Sequence, residues 1–332
     1  MTAETDADPR IGDVPEGAIL RSILSRLAPS NAVVGPGDDA AVLVAPDARV
    51  VATVDTLVHG PDFRLAWSSA YDLGFKSAAV NLADVAAMGA RPTALLVALA
   101  MPNDTRLSFV EGLADGLRAA CDALAPGCAV EGGDLTVSDT LTIAVTALGS
   151  LDGRSPVLRS GARPGDLVAL AGEAGAAARG LDVLFRRFRD LAGEPVPVEF
   201  DDLDAGEASC VIAQLRPHPP VALGPVAADA GATAMMDVSD GIALDASRMA
   251  DASGVTIAID SASLGARRGW AVDGGEDHAL LAAFPPGAAL PPGFRVIGAA
   301  HARGDAPLLV DGAPYTGRGG WDPYRDWDRA SG

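Results

Sequence analysis

Lysine is almost absent from this sequence. Of its 332 residues only one is lysine, Lys76, whereas arginine occurs 24 times. Cysteine is also scarce: the three present, Cys121, Cys128 and Cys210, are too few and too scattered for a disulfide framework or a zinc site. The sequence lacks a basic, apolar leader and any apolar run of the roughly 20 residues that a membrane span needs. We therefore expect a cytoplasmic protein without a membrane segment.

Positive charge is sparse as well. Lys and Arg together number 25 against 44 Asp and Glu, and the formal net charge is -19. This balance argues against a protein that binds nucleic acid or an anionic membrane, because such proteins need an excess of positive charge on their binding surface. A hydrophobic fraction of 49% excludes disorder, and the length suits two domains. Asp accounts for 35 of the acidic residues, and many of them lie in glycine-rich turns.

Several familiar catalytic motifs are missing. The sequence has no G-x-x-x-x-G-K-[ST] phosphate loop, no kinase H-R-D or D-F-G set and no nucleophile elbow. Its histidines do not show the spacing of metal ligands; they are His59, His218, His278 and His301. A bound nucleotide would therefore have to be held by metal ions and glycine-rich turns.

Predicted helices and strands alternate irregularly along the whole chain. Apolar periodicity and turn residues predict helices over 13–28, 69–88, 105–124, 174–189 and 205–215, with a further one ending near 252. They predict strands over 40–44, 50–58, 93–100, 127–131, 140–149, 167–171, 232–236, 255–259, 278–284, 294–299 and 307–310. This order favours the α+β class, with domains over 1–152 and 153–316 and a tail over 317–332.

Four segments place an Asp in or beside a predicted tight turn. They are Gly37-Asp38-Asp39, Thr53-Val54-Asp55-Thr56, Gly132-Gly133-Asp134 and Asp237-Val238-Ser239-Asp240-Gly241, and Asp84 adds a carboxylate on the long helix. Carboxylates are good ligands for Mg²⁺, which commonly also binds substrate phosphates. Neighbouring glycines allow backbone N–H groups to approach phosphate oxygens. The alternative is that Asp and Gly simply form turns, but the doublets favour a magnesium site.

The long helix adds a second indication. Asp72, Lys76, Val80 and Asp84 follow one another in steps of four residues and so share a face, with Asn81 beside them. One interpretation is a surface pair between Asp72 and Lys76. The other is that a site needs the compact charge and three donors of the single lysine.

These segments resemble those of thiamine-monophosphate kinases, within the superfamily of aminoimidazole ribonucleotide synthetase-like ATP-binding proteins. The resemblance extends from about residue 12 to 325, and its most specific parts are the helix motif from Asp72 to Ala90 and Gly274-Gly275-Glu276-Asp277. It implies two α/β domains of the synthetase-like type. The N-terminal domain would have a mixed sheet, bind ATP and Mg²⁺ and form a homodimer, and the tail would contribute to the substrate site.

The resemblance also implies an activity and a set of site residues. The activity is direct, in-line transfer of the γ-phosphoryl of ATP to thiamine monophosphate, giving thiamine diphosphate with the help of several Mg²⁺ ions. Because the acceptor is already an anionic phosphate, no catalytic base is expected. The implied metal ligands are Asp39, Thr53, Val54, Asp55, Asp84, Asp134, Asp237 and Asp240. The implied ATP contacts are Gly133, Asp134, Arg159 and Ser239, and the implied substrate contacts are Asp62, Glu276 and Trp321.

Three positions depart from the family pattern. Asp62 stands where the family usually has His, Leu135 where it has Thr, and His278 where it has Tyr. Another ATP-dependent member of the superfamily, with a different phosphate or carboxyl acceptor, is therefore the alternative. A non-catalytic metal- or nucleotide-binding protein is a third hypothesis, which the full set of Asp ligands disfavours.

Overall fold

The computed structural model describes residues 8–36, 40–317 and 319–320. The first part of the chain forms a four-stranded sheet with three helices. Its elements are α1 (Glu16–Arg26), β1 (Val51–Val58), α2 (Ala70–Ala87), β2 (Arg91–Met101), α3 (Leu107–Leu124), β3 (Ala129–Val137) and β4 (Thr142–Ser150).

The second part forms a seven-stranded sheet with further helices. Its elements are β5 (Leu167–Ala171), α4 (Ala176–Arg187), α5 (Ala205–Leu215), α6 (Leu223–Asp229), β6 (Ala234–Val238), α7 (Ile242–Ser253), β7 (Val255–Ile259), α8 (Arg268–Asp273), β8 (Ala279–Phe284), β9 (Phe294–Ala302), β10 (Leu308–Val310) and β11 (Ala313–Pro314). The predicted α+β class is confirmed. The predicted domain boundary after residue 152 falls between β4 and β5 and stays a prediction.

The first sheet is mixed, as expected. Its strand order is β1-β4-β2-β3; β2 and β3 are parallel and the other pairs antiparallel. Helices α2 and α3 pack against one face of the sheet and against each other. On β1 the side chains alternate, so that Asp55 lies on the helix-covered side while Val54, 59% exposed, lies on the open side.

The second sheet has the order β11-β10-β7-β9-β5-β8-β6, with β6 at one edge. Helix α2 of the first part also contacts β6, β8, α5 and α6 of the second. It therefore lies between the two sheets, and all but four of its 18 residues are buried. A helix with apolar residues on every side is suited to this position. No helix in the described ranges is long and apolar enough to cross a membrane.

Three sequence predictions about local structure are wrong. Thr53-Val54-Asp55-Thr56 does not lie in or beside a tight turn, because it forms the middle of β1. The segment 40–44 is not a strand, because Val42 forms only an isolated bridge to Val34. Gly132-Gly133-Asp134 is not a turn: it lies inside β3, just after a register shift beside β2. A Cβ on Gly133 would lie 2.0 Å from the carbonyl oxygen of Val97, so glycine is required for close strand approach here.

Candidate active site

Helix α2 is the element on which the candidate site is built. Ser69 caps it reciprocally with Asp72: the Ser69 hydroxyl accepts from the Asp72 amide at 3.2 Å, and Asp72 accepts from the Ser69 amide at 3.0 Å. Asp72 also pairs with Arg216 at 3.0 Å. The interpretation of Asp72 and Lys76 as a surface pair is therefore wrong, because Lys76 is buried and contacts other groups.

Hydrogen bonds join α2 to β1. The Thr53 hydroxyl donates to Asp84 Oδ2 at 2.8 Å. The Asp55 amide donates to Asn81 Oδ1 at 3.0 Å, and Asn81 Nδ2 donates to the Ser77 carbonyl at 2.9 Å. These bonds fix the side chains of Asp84 and Asn81 on the side of the first sheet that faces the second.

Three carboxylates, Asp55, Asp84 and Asp237, interact electrostatically at the junction of the two sheets; we name them the carboxylate cluster. Burial, with added repulsion from Asp237 and Asp55, raises the pKa of Asp84 to about 7. Burial also raises the pKa of Asp55, and the charge of Asp237 adds to the shift. Burial and neighbouring negative charge thus disfavour the ionised forms of Asp55 and Asp84.

Asp237, at the end of β6, contacts His278. Their atoms Oδ2 and Nδ1 are 3.1 Å apart, and both residues are buried. Burial alone would lower the pKa of His278, but the hydrogen bond and the charge of Asp237 outweigh it and raise the pKa. This contact fixes the orientation of the Asp237 carboxylate.

Asp240 is held by a separate set of contacts. Its amide donates to Asp245 Oδ2 at 3.0 Å, and Arg248 Nη1 contacts Asp240 at 2.5 Å and Asp245 at 2.8 Å. Asp245 is fully buried, and burial together with the charge of Asp237 raises its pKa to about 7. Arg248 therefore partly neutralises the two carboxylates behind β6.

The segment from Gly274 to His278 has an unusual backbone. Glu276 and His278 adopt φ angles of 73° and 52°, which are uncommon for residues other than glycine. The Glu276 amide donates to the Ser239 carbonyl at 2.9 Å, and a Cβ on Gly275 would lie 1.8 Å from that oxygen. Strained residues of this kind concentrate at binding sites, where surrounding contacts hold them.

A cavity of about 560 Å³ opens beside this segment. One side is charged, and here Lys76 Nζ forms an ion pair with Glu276. Burial opposes the shift, but the charge of Lys76 lowers the pKa of Glu276. Aromatic rings line another part; Trp67 and Phe185 pack edge to face with centroids 4.9 Å apart. The full lining is Pro61, Asp62, Phe63, Arg64, Trp67, Ser68, Lys76, Ala178, Leu181, Asp182, Leu184, Phe185, Gln214, Leu215, Ser239, Gly269, Trp270, Asp273, Gly274, Gly275, Glu276 and Gly320.

A smaller cavity of about 220 Å³ lies next to the carboxylate cluster. Thr53, Asp84, Arg159 and Asp237 line it. An arginine facing carboxylates around a polar cavity provides both a phosphate-binding cation and cation-binding oxygens.

The donor atoms of the carboxylate cluster are oxygens, the type of ligand that Mg²⁺ binds. In the described part of the chain, no three His, Cys, Asp or Glu side chains form a ready-made metal site. However, oxygen donors are the ligands Mg²⁺ prefers, and it usually completes its shell with waters and phosphate oxygens. A cation would also relieve the repulsion that raises the pKa of Asp84. The residues that would hold it are the cluster and the Thr53 hydroxyl.

Known proteins match this chain over almost its whole length. Residues 37–151 match the family model of AIR synthase related protein, N-terminal domain. A thiamine-monophosphate kinase of Mycobacterium tuberculosis is 38% identical over 336 residues, which cover 96% of this chain and 95% of the relative. The chain belongs to the thiamine-monophosphate kinase family. This confirms the resemblance inferred from the motifs.

Solved structures of the thiamine-monophosphate kinase family have the same fold. One from Stenotrophomonas maltophilia is 32% identical, with a TM-score of 0.73 over 90% of this chain and 96% of that one. Another, described as AaThiL complexed with AMPPCP and TMP, is 27% identical, with a TM-score of 0.72 over 95% of this chain and 99% of that one. The synthetase-like fold expected from the sequence is thereby confirmed.

The structure brings together many of the residues that the thiamine-monophosphate kinase resemblance implied. Thr53, Asp84, Asp237 and Arg159 surround the smaller cavity, with Asp55 close by. Asp62, Ser239 and Glu276 line the larger one. Asp62, which replaces the family's usual His, accepts from the Val58 amide at 2.7 Å, and burial raises its pKa.

Other implied residues lie elsewhere. Asp134 lies beside Ala98 on the open side of the first sheet, since its neighbour Leu135 packs against the core. Val54 lies on that open side too, and Gly133 lies within β3. Asp240 is paired with Arg248. Asp39 and Trp321 lie outside the described residues.

The sequence offered a site role for Lys76 as one of two interpretations. It assigned none to four other residues that the structure brings to this region, which are His278, Asp245, Trp67 and Phe185. Lys76 had a signal, as the single lysine. The others had none, because their contacts join segments far apart in the chain.

Proposed function

We propose that this protein phosphorylates thiamine monophosphate to thiamine diphosphate, using ATP and several Mg²⁺ ions. The observation that supports it best is the proximity of the carboxylate cluster to a cavity with a charged and an aromatic side. Helix α2 contributes Asp84 to the carboxylate cluster and Lys76 to the cavity. These two residues are eight positions apart, which is about 12 Å along the helix axis. The relative complexed with AMPPCP and TMP supports the same pair of substrates.

The proposed reaction is a direct, in-line displacement. An oxygen of the thiamine phosphate forms a bond to the γ-phosphorus of ATP, the bond to the β–γ bridging oxygen breaks, and ADP leaves. The acceptor oxygen is anionic, so no proton has to be removed and no side chain acts as a general base. Catalysis then depends on positioning and on neutralising charge.

Bound Mg²⁺ would neutralise the polyphosphate and hold its oxygens in position. We propose that Asp55, Asp84, Asp237 and Thr53 contribute to its binding. The family resemblance adds Asp39, the Val54 carbonyl, Asp134 and Asp240. Arg159 and Ser239, with Gly133 and Asp134, would contact ATP.

The larger cavity is the proposed site of thiamine monophosphate. Its rings Trp67, Phe185 and Trp270 offer flat apolar surfaces to the heteroaromatic rings of the substrate. Asp62 and Glu276 offer negative charge to its cationic thiazolium. Trp321 remains a proposed contact from the tail.

We also propose a cytoplasmic homodimer formed through the N-terminal domain, residues 1–152, beside a domain over 153–316. The open side of the first sheet supports this, because it exposes Val54 and the neighbouring small residues Ala52 and Ala98. Cys121, Cys128 and Cys210 are unpaired and buried, which supports a reducing compartment.

The test is an assay with ATP, Mg²⁺ and thiamine monophosphate that follows thiamine diphosphate. We expect stoichiometric thiamine diphosphate and ADP, and no product when the metal is chelated. ADP formation with another phosphate or carboxyl acceptor, but not with thiamine monophosphate, would favour the alternative that Asp62 suggests. Absence of ADP under every condition would favour a binding protein.

A further inference from the structure

Lys76 has an unusual setting for a lysine. It is 5% exposed, yet it lines the 560 Å³ cavity. Its Nζ contacts the Glu276 carboxylate and lies 3.3 Å from the Gln214 carbonyl oxygen. It is the only lysine of the chain, so every other ion pair of a long basic side chain uses arginine.

The charged side chains that line this cavity are mostly acidic. Asp62, Asp182, Asp273 and Glu276 contribute four carboxylates, and Arg64 and Lys76 contribute two cations. Arg64 is engaged with protein groups: its guanidinium contacts the carbonyls of Gly60 and Phe63 and lies 5.7 Å from the ring centroid of Trp67. A phosphate group entering this cavity would therefore need Lys76 to offset the surrounding negative charge.

The contacts of Lys76 suit exchange of one anion for another. Its ammonium group has three donors, so it can keep the Gln214 carbonyl and bind a further oxygen. The side chain of its partner Glu276 is 41% exposed, and the Glu276 backbone has a φ angle of 73°. Solvent or a ligand can therefore reach the Glu276 carboxylate, whereas the side chain of Lys76 is buried.

We infer that Lys76 binds the phosphate group of the acceptor substrate, replacing its contact with Glu276 in the ligand-free protein. The inference rests on the proposed function and deepens it, since it names the group that distinguishes a phosphorylated acceptor from thiamine itself. A purely structural ion pair between α2 and the Glu276 segment is the competing explanation.

The single lysine permits a direct test. Protein produced with isotope-labelled lysine gives one lysine side-chain signal set in NMR, that of Lys76. We expect saturating thiamine monophosphate to shift the Cε and Nζ signals strongly, and unphosphorylated thiamine to shift them little. Signals that respond equally to both ligands, or to neither, would overturn the inference.

Variants separate recognition of the phosphate from a structural role. We expect Lys76→Met to raise the KM for thiamine monophosphate between about 10-fold and 100-fold, the range of a lost charge-assisted hydrogen bond. Binding of unphosphorylated thiamine should be unchanged. Arg216→Met is the matched control, because it removes the Asp72–Arg216 pair between α2 and α5 and leaves the cavity lining intact.

If Lys76→Met and Arg216→Met raise the KM for thiamine monophosphate equally, or if Lys76→Met weakens thiamine binding in parallel, the role of Lys76 is structural. If Lys76→Met does not fold, the NMR experiment on the unaltered sequence decides. Failure of this inference is distinct from failure of the proposed function. In the first case the unaltered protein forms thiamine diphosphate while the Lys76 signals do not respond to the phosphate; in the second it forms none, and the inference fails with it.

Discussion

Replacement of Asp84 tests the carboxylate cluster directly. Burial, with the charges of Asp237 and Asp55, raises its pKa from 3.8 to about 7. The ionised form is therefore unfavourable in the folded protein when no cation is bound. We expect Asp84→Asn to abolish phosphoryl transfer and, at the same time, to stabilise the metal-free protein at about pH 8.

The magnitude follows from the shift. One pKa unit corresponds to about 1.4 kcal/mol, so a rise from 3.8 to about 7 sets an upper bound of about 4 kcal/mol. Because the folded-state pKa is above the unfolded one, the contribution of the Asp84 carboxyl to the free energy of unfolding falls as the pH rises from about 4 to about 7 and is then constant. The surrounding side chains can adjust to the charge, so we expect about half the bound, about 2 kcal/mol, which corresponds to about 3 °C in Tm.

The assay is urea and thermal unfolding in a metal chelator at about pH 5 and about pH 8. The stability gained by Asp84→Asn should be larger at the higher pH, since there the unaltered carboxyl is ionised. Mg²⁺ added at the higher pH should stabilise the unaltered protein more than the variant. A variant that is no more stable than the unaltered protein at either pH, or that keeps its activity, would refute the reasoning.

Three further changes test other parts of the molecule. Gly275→Ala places a Cβ 1.8 Å from the Ser239 carbonyl oxygen; we expect displacement of Glu276 and at least about a 10-fold loss of kcat/KM, and unchanged kinetics would argue against a role for this segment. Val54→Asp puts a charge on the open side of the first sheet and should give monomers in light scattering with unchanged circular dichroism; a persistent dimer would locate the interface elsewhere. Trp67→Ala removes an aromatic ring from the cavity and should raise the KM for thiamine monophosphate by about 10-fold with little change in the KM for ATP, whereas equal changes in both would indicate general loosening of the fold.

Local signals predicted much of the fold correctly. Helix α2 could be placed within two residues, because Ser69 forms a capping box with Asp72 and Gly89, with a φ angle of 72°, follows its last turn. The strands β1, β5 and β7 have runs of β-branched and apolar residues bounded by turn residues, and they too could be predicted. These features depend on neighbours within a few residues, which a single sequence displays.

The errors have more than one physical cause. Glycine favours turns, but it is also needed where two backbones approach closely, and the sequence of Gly132-Gly133-Asp134 does not distinguish the two. Only the position of Val97 on β2 shows that Gly133 belongs to a strand. Contacts such as Lys76 with Glu276 and Asp237 with His278 join distant segments, and periodicity within an element does not specify its partner in space.

The position of α2 between the sheets limits how this chain can change in length. Near the middle of the helix Lys76 contacts Gln214 and Glu276 of the second part, and nearer its C-terminus Asp84 accepts from Thr53 of the first. One inserted or deleted residue between them would rotate one end by about 100° relative to the other, so that only one set of contacts could form. The number of residues in α2 between these two sets of contacts must therefore be inherited unchanged, a constraint that acts on the length of the helix and not on any single position in it.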